Sequence, residues 1–311
     1  MIYNKLGRTG LDCSKLGFGT WQIGGGRWKG LNDEDSIKLL RKAKELGINI
    51  FDAAVVYGQY RGESNEKKSR SLDLLGKAFE GESRKNVIFC LKIGQVDEYS
   101  HRAVYEPNNL VAQVQSALLQ LNTDYIDICL IHAPTISEVK EQKAISVLQT
   151  LQALGIVKFV GYSFEDELEH SKLALEQKID VLMLQYNLID DSCLEAFEIA
   201  ESRGVGVLVG GPLKRGYLSG EFDKVEDLPK DDDYWQWNVR YSRKKVEDIL
   251  ESCFELKNKI GDSKLFRKHA FNHILKNSGV NSMIVGHRNE TEIIENSEAT
   301  IEISNKNAKN V

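Results

Sequence analysis

Four residues capable of acid–base chemistry stand where short apolar runs stop. Ile48-Asn49-Ile50-Phe51 runs into Asp52, Val87–Leu91 into Lys92, and Ile126–Ile131 into His132. Tyr57 follows Asp52 by five residues, near enough in the chain to fold back over the same end. Singly, each has an ordinary explanation. An aspartate after a strand often forms a turn, a lysine there snorkels to solvent, and a lone histidine or tyrosine is commonly structural. Together they form a complementary set. A phenol with an ordinary pKa of about 10 is a weak proton donor near neutral pH. A neighbouring ammonium favours the phenolate, so Lys92 can ease proton release from Tyr57, and Asp52 can hold Lys92 in place and charged. His132 can hydrogen-bond a substrate oxygen. That chemistry suits reduction of a carbonyl, whose oxygen gains charge and must take up a proton. The hydride has to come from a cofactor, because no side chain supplies one.

Positioning such a set requires strands that end side by side. Eight short apolar runs recur along the chain: Gly17-Phe18-Gly19, Ile48–Ala54, Val87–Lys92, Ile126–His132, Phe159–Ser163, Val181–Tyr186, Val205–Gly210 and Ser282–Gly286. Each is too short for a helix, and several are rich in Val and Ile, as strands buried on both faces should be. Helical spacing of apolar residues fills the intervals Asn32–Leu46, Pro107–Leu121, Ile136–Leu154, Glu165–Gln177, Ser192–Ser202, Ser242–Ile260 and Leu265–Asn277. Strict alternation predicts a parallel sheet with right-handed crossovers. Eight units fit a closed (β/α)8 TIM barrel, an α/β fold whose chemistry lies at the C-terminal ends of the strands. An open dinucleotide-binding sheet is the rival. Its glycine motif is incomplete, because Gly17-Phe18-Gly19-Thr20-Trp21-Gln22 has Gln at the third glycine position. Residues 1–16, broken by Arg8-Thr9-Gly10, read as an N-terminal β-hairpin closing the barrel bottom. The expectation is a single domain over 1–311, with a frayed Asn/Lys-rich tail from Ser304.

Composition narrows the classes. The chain has 311 residues, 41% hydrophobic and 28% charged, with net charge −5. No basic block marks a nucleic-acid surface. No window approaches the length of a membrane span, and Met1–Gly10 has no apolar signal core. Cys13, Cys90, Cys129, Cys193 and Cys253 are odd in number and lack CxxC spacing, which fits a reducing, cytoplasmic compartment without disulfides. No metal-ligand spacing stands out.

The chain resembles the aldo-keto reductases over nearly its whole length. The matching segments are Leu6–Leu11, Gly17–Trp21, Phe51–Ala54 with Tyr57-Gly58, Leu91-Lys92, Asp127–His132, Gly161–Ser163, Gln185–Leu188, Gly211–Leu213, Gly216–Gly220, and Gly286 with Arg288 and Glu295-Asn296. The resemblance implies a catalytic tetrad of Asp52, Tyr57, Lys92 and His132, and NADPH (NADH as the alternative) extended across the barrel mouth. It implies that Ser163 and Gln185 contact the nicotinamide amide, and that Thr20, Trp21 and Asp52 belong to the same cofactor set. The loop Pro212–Gly220 would cover the pyrophosphate, with Gly211, Pro212, Leu213, Lys214, Gly216 and Leu218 as its contacts. Gly286, His287 and Arg288 would receive the adenosine phosphate, and Glu292, Glu295 and Asn296 would lie near the adenine. Independent of family, loops after the last two barrel strands often hold phosphate, and Arg288 precedes a helix N-terminus, which favours anions. Asn289 and Glu292 also fit a capping pair, a purely structural role for Glu292.

The sequence departs from the family pattern in three places. Phe164 follows Ser163 where the family often has Asn, and Gly210-Gly211 stand where it often has an aromatic residue. Gln59–Arg70 is a polar insertion after Tyr57, either an unstructured surface loop or a wall of the substrate pocket. Trp235 and Trp237 either line the substrate site, anchor their own loop or meet a partner subunit. The implied partner is a small-molecule carbonyl, and the expected assembly a monomer or small homo-oligomer. Two other readings stand beside reduction: a cofactor-binding regulatory or scaffolding barrel, as in potassium-channel β-subunits, and a Schiff-base aldolase using Lys92. The adjacent Asp52 opposes the last by keeping the amine protonated.

Overall fold

The computed structural model describes residues 1–165, 168–230 and 242–308. Trp235 and Trp237 lie outside the described residues. Twelve strands run in chain order among the described residues: β1 Tyr3–Lys5, β2 Asp12–Ser14, β3 Leu16–Gly19, β4 Ile50–Ala54, β5 Gln59–Arg61, β6 Lys67–Ser69, β7 Ile88–Ile93, β8 Ile126–His132, β9 Val157–Ser163, β10 Val181–Gln185, β11 Gly206–Gly210 and β12 Ser282–Gly286. Eight of them close a parallel barrel in the order β3-β4-β7-β8-β9-β10-β11-β12 and back to β3. This is the expected (β/α)8 barrel. Its strands are buried almost throughout, on both faces.

The period of two along each strand divides these residues between two layers. Ile50, Ile88, Cys90, Ile128, Leu130, Val181, Met183, Leu208 and Ile284 pack together inside the barrel. Phe51, Phe89, Leu91, Cys129, Ile131, Leu182 and Val285 face the helices instead. The antiparallel pair β1–β2 is the expected hairpin. Its Leu6 is fully buried among the interior residues, so the hairpin plugs the barrel bottom. Gly7 makes this possible: it adopts φ +48°, and a Cβ there would lie 2.3 Å from the Gly206 nitrogen. Arg8 locks the contact by donating to the carbonyls of Ile179 (2.5 Å) and Arg203 (3.1 Å).

The helices follow their capping signals, with instructive differences. Asn32 caps Asp33–Glu45 by accepting from the Asp35 amide at 2.9 Å. Ser242 caps Arg243–Ile260, and Asp262 starts Ser263–Leu275 two residues earlier than the apolar spacing indicates. The stretch expected as one helix, Ile136–Leu154, is two, Ile136–Glu141 and Lys143–Ala153, because Gln142 takes a left-handed φ of 58°. The break lets Ile145, Leu148 and Leu151 lie against the barrel. The stretch expected at Glu165–Gln177 forms Leu168–Leu175.

The last helix, Glu290–Ala308, includes the start of the expected tail, and Ser304 and Ile303 in it are buried. The Gln59–Arg70 insertion is not an unstructured loop, and none of its residues lines the cavity at the barrel mouth. It folds as the antiparallel ribbon β5–β6, turning at Asn65 with φ 64°. No helix among the described residues is long and apolar enough to cross a membrane.

Candidate active site

The parity that fills the barrel interior also selects what meets at its mouth. Continued one step past the apolar layer, the inward positions at the strand ends are Gly19, Asp52, Lys92, His132, Ser163, Gln185, Gly210 and Gly286. Every one of them lines a single cavity of about 260 Å³ at the C-terminal face. Chemistry-bearing residues therefore reach the mouth because they occupy the last inward position of a strand whose earlier inward positions are apolar.

Asp52, Lys92, His132 and Tyr57 come together there. The Lys92 ammonium lies 2.5 Å from both Asp52 oxygens, in a pair buried on both sides. Burial alone would lower the lysine's pKa, but the attraction of Asp52 at this distance overrides it and holds Lys92 above its ordinary value. Lys92 Nζ also lies 5.1 Å from the centre of the Tyr57 ring. The His132 ring is perpendicular to Tyr57 (87°), with centroids 6.3 Å apart. Its strand end is fixed by the Tyr105 hydroxyl, which donates to the His132 carbonyl at 2.7 Å.

The phenol differs from expectation in sign. Burial pushes the Tyr57 phenol up to about 12, and the downward pull of Lys92 only partly offsets this. Desolvation outweighs the cation, and the negative charges of Asp52 and Glu98 add to the upward push. Tyr57 thus keeps its proton throughout the neutral range.

Tyr57 is braced from three sides. The insertion ribbon sits behind it, and Ser69 at the ribbon's end donates to the carbonyls of Tyr57 (2.8 Å) and Ala54 (3.0 Å). Gly58 takes φ +63° and packs on the Gly24 carbonyl, where a Cβ would come within 2.0 Å. In front, the Trp21 ring stacks on Tyr57 at 5.6 Å. Glu98 links these parts: it accepts from the Trp21 indole at 2.7 Å and from the Gly58 amide at 3.2 Å.

Twelve of the positions implied for the cofactor line the cavity: Trp21, Asp52, Ser163, Gln185, Gly211, Pro212, Leu213, Gly216, Gly286, Arg288, Glu292 and Asn296. Five do not. Thr20 is buried behind it, donating to the Asp52 carbonyl at 2.8 Å. Lys214 is paired with Asp190 at 2.8 Å. Leu218 is buried in a satellite core with Ile249 and Phe266. His287 is fully buried with its ring 5.1 Å from Phe18, and Glu295 pairs with Lys264 (2.8 Å) and Arg267 (3.4 Å). Glu292 is engaged as a cap: it accepts from the Arg288 amide (2.8 Å) and the Asn289 side chain (2.7 Å).

The cavity also takes in Arg27, Trp28, Gln95, Glu98, His101, Arg215, Glu221, Phe222 and Arg267, which sequence reasoning missed. Most sit on irregular segments after β3, β7 and β11, where no periodicity marks which side chain turns inward. The one available signal was position, since polar stretches following strands at this face form the walls of barrel sites. Among the described residues, no cluster of His, Cys, Asp and Glu forms a metal site.

Comparison with known proteins agrees with this geometry. The model of the Aldo/keto reductase family matches residues 15–311. The chain is 26% identical over 257 residues to the aldo-keto reductase YhdN of Bacillus subtilis (strain 168), covering 82% of this chain and 75% of that protein. It is 28% identical over 267 residues to the NADH-specific methylglyoxal reductase of Escherichia coli (strain K12), covering 79% and 78%. Its fold is similar to that of the holo form of the aldo-keto reductase AKR11C1 from Bacillus halodurans, with a TM-score of 0.74, 23% identity, and 99% and 96% of the two chains covered.

Proposed function

Because the chain belongs to the aldo/keto reductase family, we propose that it interconverts an aldehyde or ketone and an alcohol with Tyr57 as the general acid for reduction. The observation that carries this reading is the meeting of a buried phenol with an ammonium that its carboxylate partner, 2.5 Å away, keeps charged. A substrate oxygen seated between Tyr57 and His132 takes a hydrogen bond from each. Tyr57 holds its proton in the resting site because burial disfavours the phenolate. As the substrate oxygen gains charge, that proton moves to it, and the nascent phenolate faces Lys92. The cation therefore acts most strongly when the phenol ionises, which is where stabilisation accelerates a reaction. A bound nicotinamide supplies the hydride. In the reverse direction the phenolate takes the proton back from an alcohol. Lys92, charged through Asp52, is a poor nucleophile, which argues against Schiff-base chemistry.

The residues present fit a nicotinamide dinucleotide. Ser163 and Gln185 offer amide partners beside the tetrad. Gly211 and Gly216, at φ +60° and +103°, give a close-approaching backbone. Arg288 lies at the start of the 19-residue helix Glu290–Ala308. We read NADPH as the preferred form, because the Glu292 carboxylate that would otherwise disfavour a 2′-phosphate is occupied as a cap. Fluorescence titration of the purified protein tests this: NADPH is expected to bind more tightly than NADH, and Arg288→Met to erode the difference by about 10- to 100-fold. Equal affinities that the substitution leaves unchanged contradict the preference, and no saturable binding of either cofactor contradicts the reading altogether. A cytoplasmic, small-molecule role completes the proposal. All five cysteines are free and buried, which supports a reducing compartment.

A further inference from the structure

Arg27 is the most informative residue in the cavity that the tetrad chemistry does not use. It belongs to the loop following the short helix Trp21–Gly24 and is 7% exposed, yet it lines the cavity. Burying an arginine charge is costly unless acceptors surround it. Among the described residues, the hydrogen-bond acceptor for its guanidinium is the Tyr99 carbonyl, and its Nε has none. The Tyr99 ring, 5.6 Å away, fixes the guanidinium from one side. The Glu98 carboxylate is close enough to attract the Arg27 charge, but its hydrogen bonds come from the Arg27 backbone amide, the Trp21 indole and the Gly58 amide, and none comes from the guanidinium. A planar, permanently charged fork held in place and short of acceptors is suited to binding a carboxylate or a phosphate.

Its place in the wall gives the anion a direction. Gly26, the preceding residue, packs on the Glu98 carboxylate, and that carboxylate bonds the amide following Tyr57. The guanidinium thus belongs to the wall on the Trp21 and Tyr57 side of the cavity, whereas the cofactor positions Ser163, Gln185 and Gly211 belong to the strand ends β9 to β11. Burial pushes the Glu98 carboxyl up, while the Arg27 charge and the hydrogen bonds from Trp21, Arg27 and Gly58 pull it down.

We propose that Arg27 is a specificity-determining residue: the substrate is a carbonyl compound carrying a carboxylate or phosphate, and Arg27 binds that anion while the carbonyl meets Tyr57 and His132. The substrate part of this proposal rests on the carbonyl-reductase reading above; the anion site does not.

Two matched pairs test it, 4-oxobutanoate against butanal and glyceraldehyde 3-phosphate against glyceraldehyde. One charged aldehyde is expected to exceed its neutral partner in kcat/KM by about tenfold or more, and the pair in which this occurs tells carboxylate from phosphate. In Arg27→Met the charged-to-neutral ratio is expected to fall to about one, with partial recovery in Arg27→Lys. A readout without turnover runs in parallel. Succinate or inorganic phosphate should raise the Tm of the wild type and not that of Arg27→Met. If Arg27→Met does not fold, Arg27→Lys carries both measurements, with a reduced ratio and a smaller Tm shift expected. A ratio near one in the wild type, or one that Arg27 variants leave unchanged, overturns the proposal. So does a loss of NADPH affinity as large as the loss in kcat/KM, which would assign Arg27 to the cofactor's phosphates. Absence of turnover on every aldehyde, together with an Arg27-dependent Tm shift, would retain the anion site and remove the reductase reading.

Discussion

Tyr57→Phe is expected to lower kcat for carbonyl reduction by about 10²- to 10⁴-fold, the range over which a positioned general acid acts. Affinity for NADPH should stay within about twofold, since the substitution removes one oxygen and no charge. The ring itself is held by Trp21 stacking at 5.6 Å and by the Ser69 hydroxyl on the Tyr57 carbonyl. Neither contact involves the phenol oxygen, so Phe should occupy the same place, and the loss can be read as the loss of a proton. The pH profile of the wild type gives a second check. With the phenol pushed up to about 12, kcat/KM for reduction should show no alkaline limb from Tyr57 below a pH of about 10. Turnover in Tyr57→Phe close to that of wild type, with cofactor still bound, would remove Tyr57 from the chemistry.

Lys92→Met is expected to have the second large effect, on activity and stability together. It removes the cation facing the developing phenolate, and kcat should fall by about 10²-fold or more. It also strands Asp52, which is 4% exposed, without the partner that lies 2.5 Å away in the wild type. Breaking one side of such a pair costs about 3–5 kcal/mol. The sign of its pH dependence follows from Asp52. Burial pushes that carboxyl up, and without Lys92 nothing comparable pulls it down. A group with a raised folded pKa favours the fold below its unfolded pKa and loses that contribution as pH rises through the folded value. The deficit of Lys92→Met should therefore shrink on acidification. Adding Asp52→Asn should recover much of the stability and none of the turnover, because a neutral amide needs no counter-charge but gives Tyr57 no cation. Urea unfolding beside steady-state kinetics on the three variants checks this. A double variant no more stable than Lys92→Met would mean the pair is not the source of the loss.

Much of this is legible in the sequence alone. The eight apolar runs became the eight barrel strands because strands buried on both faces leave a continuous apolar signature. Asp52, Lys92 and His132 stood out because each interrupts such a run at the mouth. What escaped notice has a common cause. Arg27, Glu98 and His101 lie on irregular loops, where contacts tens of residues apart decide orientation, as in the bond from the Trp21 indole to Glu98. Gln59–Arg70 looked unstructured because a short ribbon such as β5–β6 gains its order from packing behind Tyr57, with little apolar periodicity of its own. The sign of the Tyr57 shift was also beyond reach. It depends on how completely the phenol is desolvated, which only the packed site reveals.

The most direct test follows a labelled atom. Wild-type protein is incubated with NADPH deuterated at one face of the nicotinamide C4 and a simple aldehyde, and the alcohol is examined by mass spectrometry and NMR. One C4 face should deliver one deuterium to the carbinol carbon for each cofactor oxidised, with the hydroxyl proton derived from solvent. Oxidation of the cofactor without deuterium in the alcohol, or no alcohol from any aldehyde under saturating NADPH, would contradict the account.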